Sequence, residues 1–218
     1  MRVQESLADL ARLNRYLGGI AALNRQLGLL LGDPMPGRLR VLDVGCGGCD
    51  VLQAVGRWCG RRNIVFEGVG LDIGSETARL AARWLAKDGG KPAIEIVRGD
   101  GRSLPFDDRS FDVTICNTLL HHFDPEAVIQ VLSGMARVSK LGIVASDLRR
   151  DVFGYCGAWM LAKTIWRRHD YTRHDALVSM RAAYTLAEVR GMAVGAGLTP
   201  AAEPQLWFRW ILRWKRPA

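Results

Sequence analysis

The residues best equipped for chemistry in this 218-residue chain cluster in short stretches. The first is Asp43-Val44-Gly45-Cys46-Gly47-Gly48-Cys49-Asp50. Glycines at this spacing let a backbone turn sharply and approach a ligand without a Cβ in the way. A dinucleotide fingerprint, G-x-G-x-x-G, needs glycine where Asp50 stands, so that pattern fails. An acid at a helix start also carries the wrong sign for a pyrophosphate. Acids on both sides of the loop suit a cationic or zwitterionic ligand instead. Cys46-x-x-Cys49 could also serve as a redox pair or half a zinc site. No second pair stands at metal spacing, and no metal is expected.

Further along, Asp72 could accept from ribose hydroxyls. All four histidines sit in two places: His121 and His122 are adjacent, and His169 and His174 lie some fifty residues on. A neutral imidazole is the side chain best suited to taking a proton near neutral pH. Asp147-Leu148-Arg149-Arg150-Asp151 adds two arginines, of which Arg149 could recognise an acidic or phenolate substrate or be a solvated charge.

The elements that must position these residues alternate. Residues 3–31 repeat leucine at three- and four-residue spacing and read as a helix, with Gly18-Gly19 as a break or kink. Asp33-Pro34-Met35-Pro36-Gly37 punctuates the chain. Short apolar runs ending at Val44, Asp72, Arg98, Cys116 and Asp147 then read as five strands. Helical segments intervene at residues 50–58, 75–85 and 126–138. Such alternation implies a parallel sheet covered by helices on both faces. In open sheets of this kind ligands bind beyond the carboxyl ends of the strands. The ending differs. After a helix at 186–196, Leu198–Pro204 and Trp207–Trp214 are joined too tightly for a crossover and should form an antiparallel hairpin. Alternation puts Phe208, Trp210, Leu212 and Trp214 on one face, with Trp207, Arg209, Ile211 and Arg213 on the other. The aromatic, amphipathic segment 149–183 reads as a helical lid, with Tyr155 and Trp159 as candidate substrate contacts.

These stretches resemble, in order across residues 40–147, the class I S-adenosylmethionine-dependent methyltransferases of the small-molecule type. Val41 to Asp50 is similar to the first motif, an acid followed by G-x-G. Gly70-Leu71-Asp72 resembles the acidic end of the second strand, and Gly99 to Phe106 the segment that brackets adenine. Ser110-Phe111-Asp112-Val113, followed by Leu120-His121-His122-Phe123, resembles the fourth-strand motif. Where the family often has a third glycine, this chain has Cys49.

The resemblance implies a Rossmann-like α/β fold with a mostly parallel seven-stranded sheet ending in an antiparallel hairpin. It would be one domain over 1–218, with a helical cap at 1–33, the cofactor-binding core at 38–148, the lid at 149–183 and the closing helix and hairpin at 184–218. S-adenosylmethionine is the implied cofactor and S-adenosylhomocysteine the product. Asp43, Gly45, Cys46 and Gly47 would hold the methionine portion. Asp72 would take the ribose hydroxyls beside Ile73, Asp100 and Gly101 would meet the adenine, and Asn117 would approach the ammonium or the substrate. His121, His122 and His174 are the candidates for proton removal, while Arg149, Tyr155, Trp159 and His174 would face the acceptor. A small hydrophobic acceptor, phenolic or polyketide- or quinone-like, is expected, with O-methylation favoured over C-methylation.

Composition frames these expectations. Hydrophobic residues at 49% and charged residues at 24% are ordinary for a globular chain and exclude collagen, disorder and a disulfide-stapled scaffold. A net charge of +8 raises RNA or protein methylation as an alternative. The basic residues are nevertheless dispersed, and Asn117-Thr118-Leu119-Leu120 is unlike the Asn-Pro-Pro-Tyr type of motif. Specific nucleic-acid binding is therefore not expected. A third reading is a cofactor-binding fold that no longer catalyses and serves as a partner subunit, suggested by Cys49. Five cysteines and no secretory signal fit a reduced cytoplasmic compartment. The apolar run at 152–166 is too short to span a bilayer. A monomer or a homodimer fits equally well.

Overall fold

The computed structural model describes residues 18–87, 92–151, 178–205 and 208–217. The first seventeen residues and most of the expected lid, with Tyr155, Trp159, His169 and His174, lie outside the described residues.

Helix α1 (Gly19–Leu31) begins where Gly18 turns left-handed at φ 74°, the break expected at the glycine pair. Its stripe Leu23, Leu27 and Leu30 is buried. There follow β1 (Arg38–Val44), α2 (Asp50–Gly60), β2 (Val65–Asp72), α3 (Ser75–Lys87), β3 (Ala93–Arg98) and β4 (Phe111–Asn117). A 3-10 turn (Leu120–His122) precedes α4 (Pro125–Val138) and β5 (Ser139–Leu148). The chain closes with α5 (Leu186–Gly195), β6 (Ala201–Gln205) and β7 (Arg209–Lys215).

The seven strands form one sheet in the order β3-β2-β1-β4-β5-β7-β6. The first five are parallel, and β7 enters antiparallel against β5 with β6 outside it. The order reverses between β1 and β4, which opens a crevice at their carboxyl ends.

Each face of the sheet carries its own core. One joins Leu42, Val44, Cys116 and Ala145 to α4 and α5; the other joins Val41, Ile115 and Val144 to α1 and α2. The alternation expected for the last strand holds. Trp210, Leu212 and Trp214 enter the first core and Ile211 the second, so β7 is buried on both faces and β6, not β7, is the edge on that side of the sheet.

The penultimate strand starts three residues later than its apolar run suggested. Leu198 instead closes the helix, its N–H donating to the Ala193 carbonyl after Gly197 turns left-handed at φ 75°. No helix among the described residues is long and apolar enough to cross a membrane.

Candidate active site

The carboxyl ends of β1, β2, β4 and β5 meet at one edge of the sheet. Because β7 is antiparallel, its first residue reaches the same edge, Arg209 lying opposite Leu148.

The glycine loop leaves β1 there. Gly45 sits at φ 72°, and a Cβ added to it would lie 2.6 Å from the Leu119 side chain, so only glycine lets the loop pass β4's exit. The N–H groups of Gly45 and Cys46 both donate to the Leu71 carbonyl, tying the loop to β2. Asp72 tightens the tie: Oδ2 accepts from the Gly47 N–H at 3.0 Å and Oδ1 from the Gly74 N–H at 2.8 Å. It therefore shapes the loop through both of its oxygens. Cys49 takes φ 59°, the conformation that a glycine at that position would adopt freely.

Electrostatics at the loop are one-sided. Asp43 is buried, and its Oδ1 has no hydrogen-bond partner. Burial raises its pKa well above the ordinary carboxylate range, and the charges of Asp50 and Asp72 push it further the same way. Three converging carboxylates, one of them buried and unsatisfied, form a receptor for a cation with hydrogen-bond donors. The amino-acid portion of S-adenosylmethionine, with its ammonium and nearby sulfonium, fits that demand. Asp43, the loop backbone and Asp72 are the residues that would hold it.

The adenine side is arranged differently from the simplest expectation. Gly101 is buried and Ile73 is exposed, but the Asp100 carboxylate is forked onto Arg102, with Nη2 to Oδ2 at 2.7 Å and the backbone N–H to Oδ1 at 2.9 Å. The Arg102 hydrogen bonds hold its pKa below the ordinary value. An adenine amino group would have to share this carboxylate with Arg102.

Past β4 the two histidines part company. His121 is buried, and its Nδ1 lies 2.7 Å from Oδ1 of the equally buried Asp147. Oδ1 also accepts from the Leu148 N–H, and Oδ2 from the His121 N–H at 3.1 Å. Burial alone would raise the Asp147 pKa, yet the His121 and Leu148 interactions and the Arg209 charge hold it below the ordinary value. An ionised carboxylate only accepts, so His121 Nδ1 carries a proton in this pair. His122 is exposed and leans on the His121 ring, centroids 4.1 Å apart.

The residue that sequence reasoning did not single out is Arg209. Its guanidinium is buried; Nη1 donates to Asn117 Oδ1 at 3.0 Å and Nη2 to Thr118 Oγ1 at 2.9 Å. Asn117 Nδ2 donates to the same hydroxyl. Thr118 stands at φ 56°, unusual for a β-branched side chain. Asn117 is thus built into a strut between strands as well as lying near the loop. One signal was available: the first residue of an antiparallel strand beside parallel ones lands at their carboxyl edge. Arg149, expected at this edge, is partly buried, reaching Asp151 at 3.5 Å, while its Nε has no partner. Among the described residues no group of three or more metal-ligating side chains gathers.

Comparison with known proteins agrees with this geometry. Residues 41–142 match the family model described as a methyltransferase domain. The demethylmenaquinone methyltransferase of Bacillus subtilis (strain 168) is 34% identical over 126 residues, 56% of this chain and 51% of that protein. The chain thus spans about half the length of the curated relatives it matches. Among solved structures, a SAM-dependent methyltransferase from Aquifex aeolicus superposes with a TM-score of 0.70 at 16% identity, covering 97% of both chains. Magnesium protoporphyrin IX methyltransferase from Synechocystis PCC 6803, solved with bound S-adenosylhomocysteine, gives 0.62 at 17% identity over 93% of this chain and 83% of that one. By its sheet order and these likenesses, the chain has the fold of the solved S-adenosylmethionine-dependent methyltransferases, and its residues 41–142 match a methyltransferase domain.

Proposed function

We propose that this protein methylates an oxygen of a small hydrophobic acceptor, phenolic or polyketide- or quinone-like, with His121 taking the proton. The observation that carries the reading is the buried His121–Asp147 pair at the carboxyl edge of the sheet, beside the glycine loop. The cofactor supplies a methyl group on a positively charged sulfur, so the protein's work is alignment, desolvation and proton handling. A phenol with a pKa near 10 is almost wholly protonated at neutral pH and gains from a base. Asp147 fixes the ring orientation and tautomer of His121 and stabilises the imidazolium that proton uptake would form. The name of the Bacillus relative supports a quinone-related ring as the acceptor class.

Cofactor and base are tested separately. In calorimetry the protein is expected to bind S-adenosylhomocysteine, and Asp72→Ala to lose that binding because it removes the ribose acceptor and unties Gly47 together. Undiminished binding by Asp72→Ala would refute the assigned ribose site. With an acceptor found by screening phenols, His121→Ala should lower the transfer rate by about 10²–10⁴-fold and remove the rise of rate with pH. Asp147→Asn should reproduce most of that loss, whereas His122→Ala should not. A product methylated on carbon would overturn the O-transfer reading, and an unchanged rate in His121→Ala would overturn the base.

A further inference from the structure

The glycine loop carries two thiols that none of this chemistry uses. Cys46 and Cys49 stand at the ends of one tight turn, closed by the Cys49 N–H donating to the Cys46 carbonyl at 2.8 Å. Their sulfurs converge on one spot over β2: a Cβ built on Gly70 would lie 2.7 Å from Cys46 Sγ and 3.0 Å from Cys49 Sγ. The Cys46 thiol donates to the Gly47 carbonyl at 3.9 Å, between the two cysteines in the turn. Residues across such a turn have Cα atoms less than about 7 Å apart, which overlaps the span that a disulfide needs. The remaining described cysteines, Cys59 and Cys116, are buried elsewhere as free thiols, Cys116 in the opposite core.

We propose that Cys46 and Cys49 form a reversible oxidation site, closed to an intraloop disulfide by hydrogen peroxide, and that closure weakens cofactor binding. One thiol attacks a peroxide oxygen, the O–O bond breaks, and a sulfenic acid and one water result. The second thiol then displaces the sulfenic oxygen as a second water. Two S–H bonds and one O–O bond are broken, one S–S bond and two O–H bonds form, and the two electrons lost by the thiols reduce the peroxide to two waters.

The effect on the cofactor follows from what lies between the sulfurs, and it rests on the loop's assignment as the cofactor site. The two sulfurs must close to about 2.05 Å as a disulfide. Gly47, whose N–H Asp72 holds, and Gly48 must absorb that movement. Gly48 has little room, since even a Cβ there would meet the Trp84 ring at 2.5 Å. The loop's N–H groups are therefore re-aimed. Both cysteines are buried, at 5% and 0% exposure, so peroxide reaches their sulfurs only when the loop opens. An occupied loop should open less and be protected. The adjoining Cys49 side chain, burial and the neighbouring Asp43 and Asp72 charges also keep the Cys46 thiol protonated, which makes the site slow rather than hair-triggered.

The test treats reduced full-length protein with hydrogen peroxide and reads intact mass, the 46–49 peptide and calorimetry with S-adenosylhomocysteine. Expected are a loss of about 2 Da located in that peptide and an affinity about tenfold lower or worse, both reversed by dithiothreitol. Saturating S-adenosylhomocysteine should slow the mass change, and the affinity of Cys49→Gly should not respond to peroxide. A dithiol that survives peroxide, or a disulfide that leaves affinity unchanged, would overturn the proposal. Failure of the reduced protein to bind S-adenosylhomocysteine would instead refute the cofactor assignment and the coupling with it, while the mass reading would still decide the disulfide.

Discussion

Asp43→Asn is expected to make the empty protein more stable while removing most of its affinity for the cofactor. The two effects share one cause. Asp43 is buried with an unsatisfied Oδ1, and burial, reinforced by Asp50 and Asp72, raises its pKa well above the ordinary carboxylate value. A group whose folded pKa is raised in this way favours folding only while protonated. Stability is therefore lost as pH climbs from about 4, the ordinary aspartate value, through the folded value. The amide carries no charge to desolvate, so the variant should lack that decline. The gain grows by about 1.4 kcal/mol for each unit by which burial raises the carboxyl's pKa. For a chain of this size each kcal/mol moves the melting temperature by about 2–4 °C. Cofactor affinity should move the other way, because the ammonium would lose the charge that answers it. Losing one partner of such a pair costs about 2–5 kcal/mol, or roughly 30- to several-thousand-fold in affinity. Melting curves across pH and calorimetry with S-adenosylhomocysteine give both readings. A variant that is less stable and binds normally would show that Asp43 is a structural acid and not the cofactor's anchor.

Arg209→Met should be the most damaging single change in β7. Its buried guanidinium bonds Asn117 and Thr118 from across β5, and the charges of Asp147 and Asp50 oppose the downward pull of burial on its pKa. Removing it leaves Asp147 without that compensating charge and takes one donor each from Asn117 Oδ1 and Thr118 Oγ1. Breaking buried ion pairs in this one-sided way costs about 3–5 kcal/mol, a large share of a domain's usual 5–15 kcal/mol. Arg209→Lys keeps the charge but not the fork that spans both oxygens, so it should fall between. Urea unfolding of the three proteins measures this directly. Equal midpoints for wild type and Arg209→Met would show that the guanidinium does not support the exit of β4. The same substitution should also loosen Thr118 from its left-handed conformation.

Much of the fold could be read from local pattern. Short β-branched runs alternating with amphipathic helices demand a parallel sheet, and two runs too close for a crossover demand a hairpin. The break at Gly18 and the faces of β7 followed in the same way from backbone freedom and from the two-residue period of a strand. The glycine loop was legible too, because an acid, G-x-G and a second acid restrict what can bind there. In each case the constraint acts within a few residues, and the sequence states it directly.

Contacts between distant segments were not legible in this way. His121 and His122 are adjacent and alike in sequence, yet one is buried on Asp147, twenty-six residues away, and the other faces outward. Asp100 belongs to the segment expected at the adenine, but a nearby arginine occupies its carboxylate. Arg209 sits in an aromatic strand ninety-two residues from Asn117, and only its place at the start of an antiparallel strand marks it. Which charges meet, which acid is left unsatisfied and which histidine is oriented depend on register between strands and on who is buried beside whom. Local propensity determined the elements and the loop. The order β1-β4-β5-β7 decided the site, because it brings one strand's beginning to the ends of three others and excludes water from the charges that meet there.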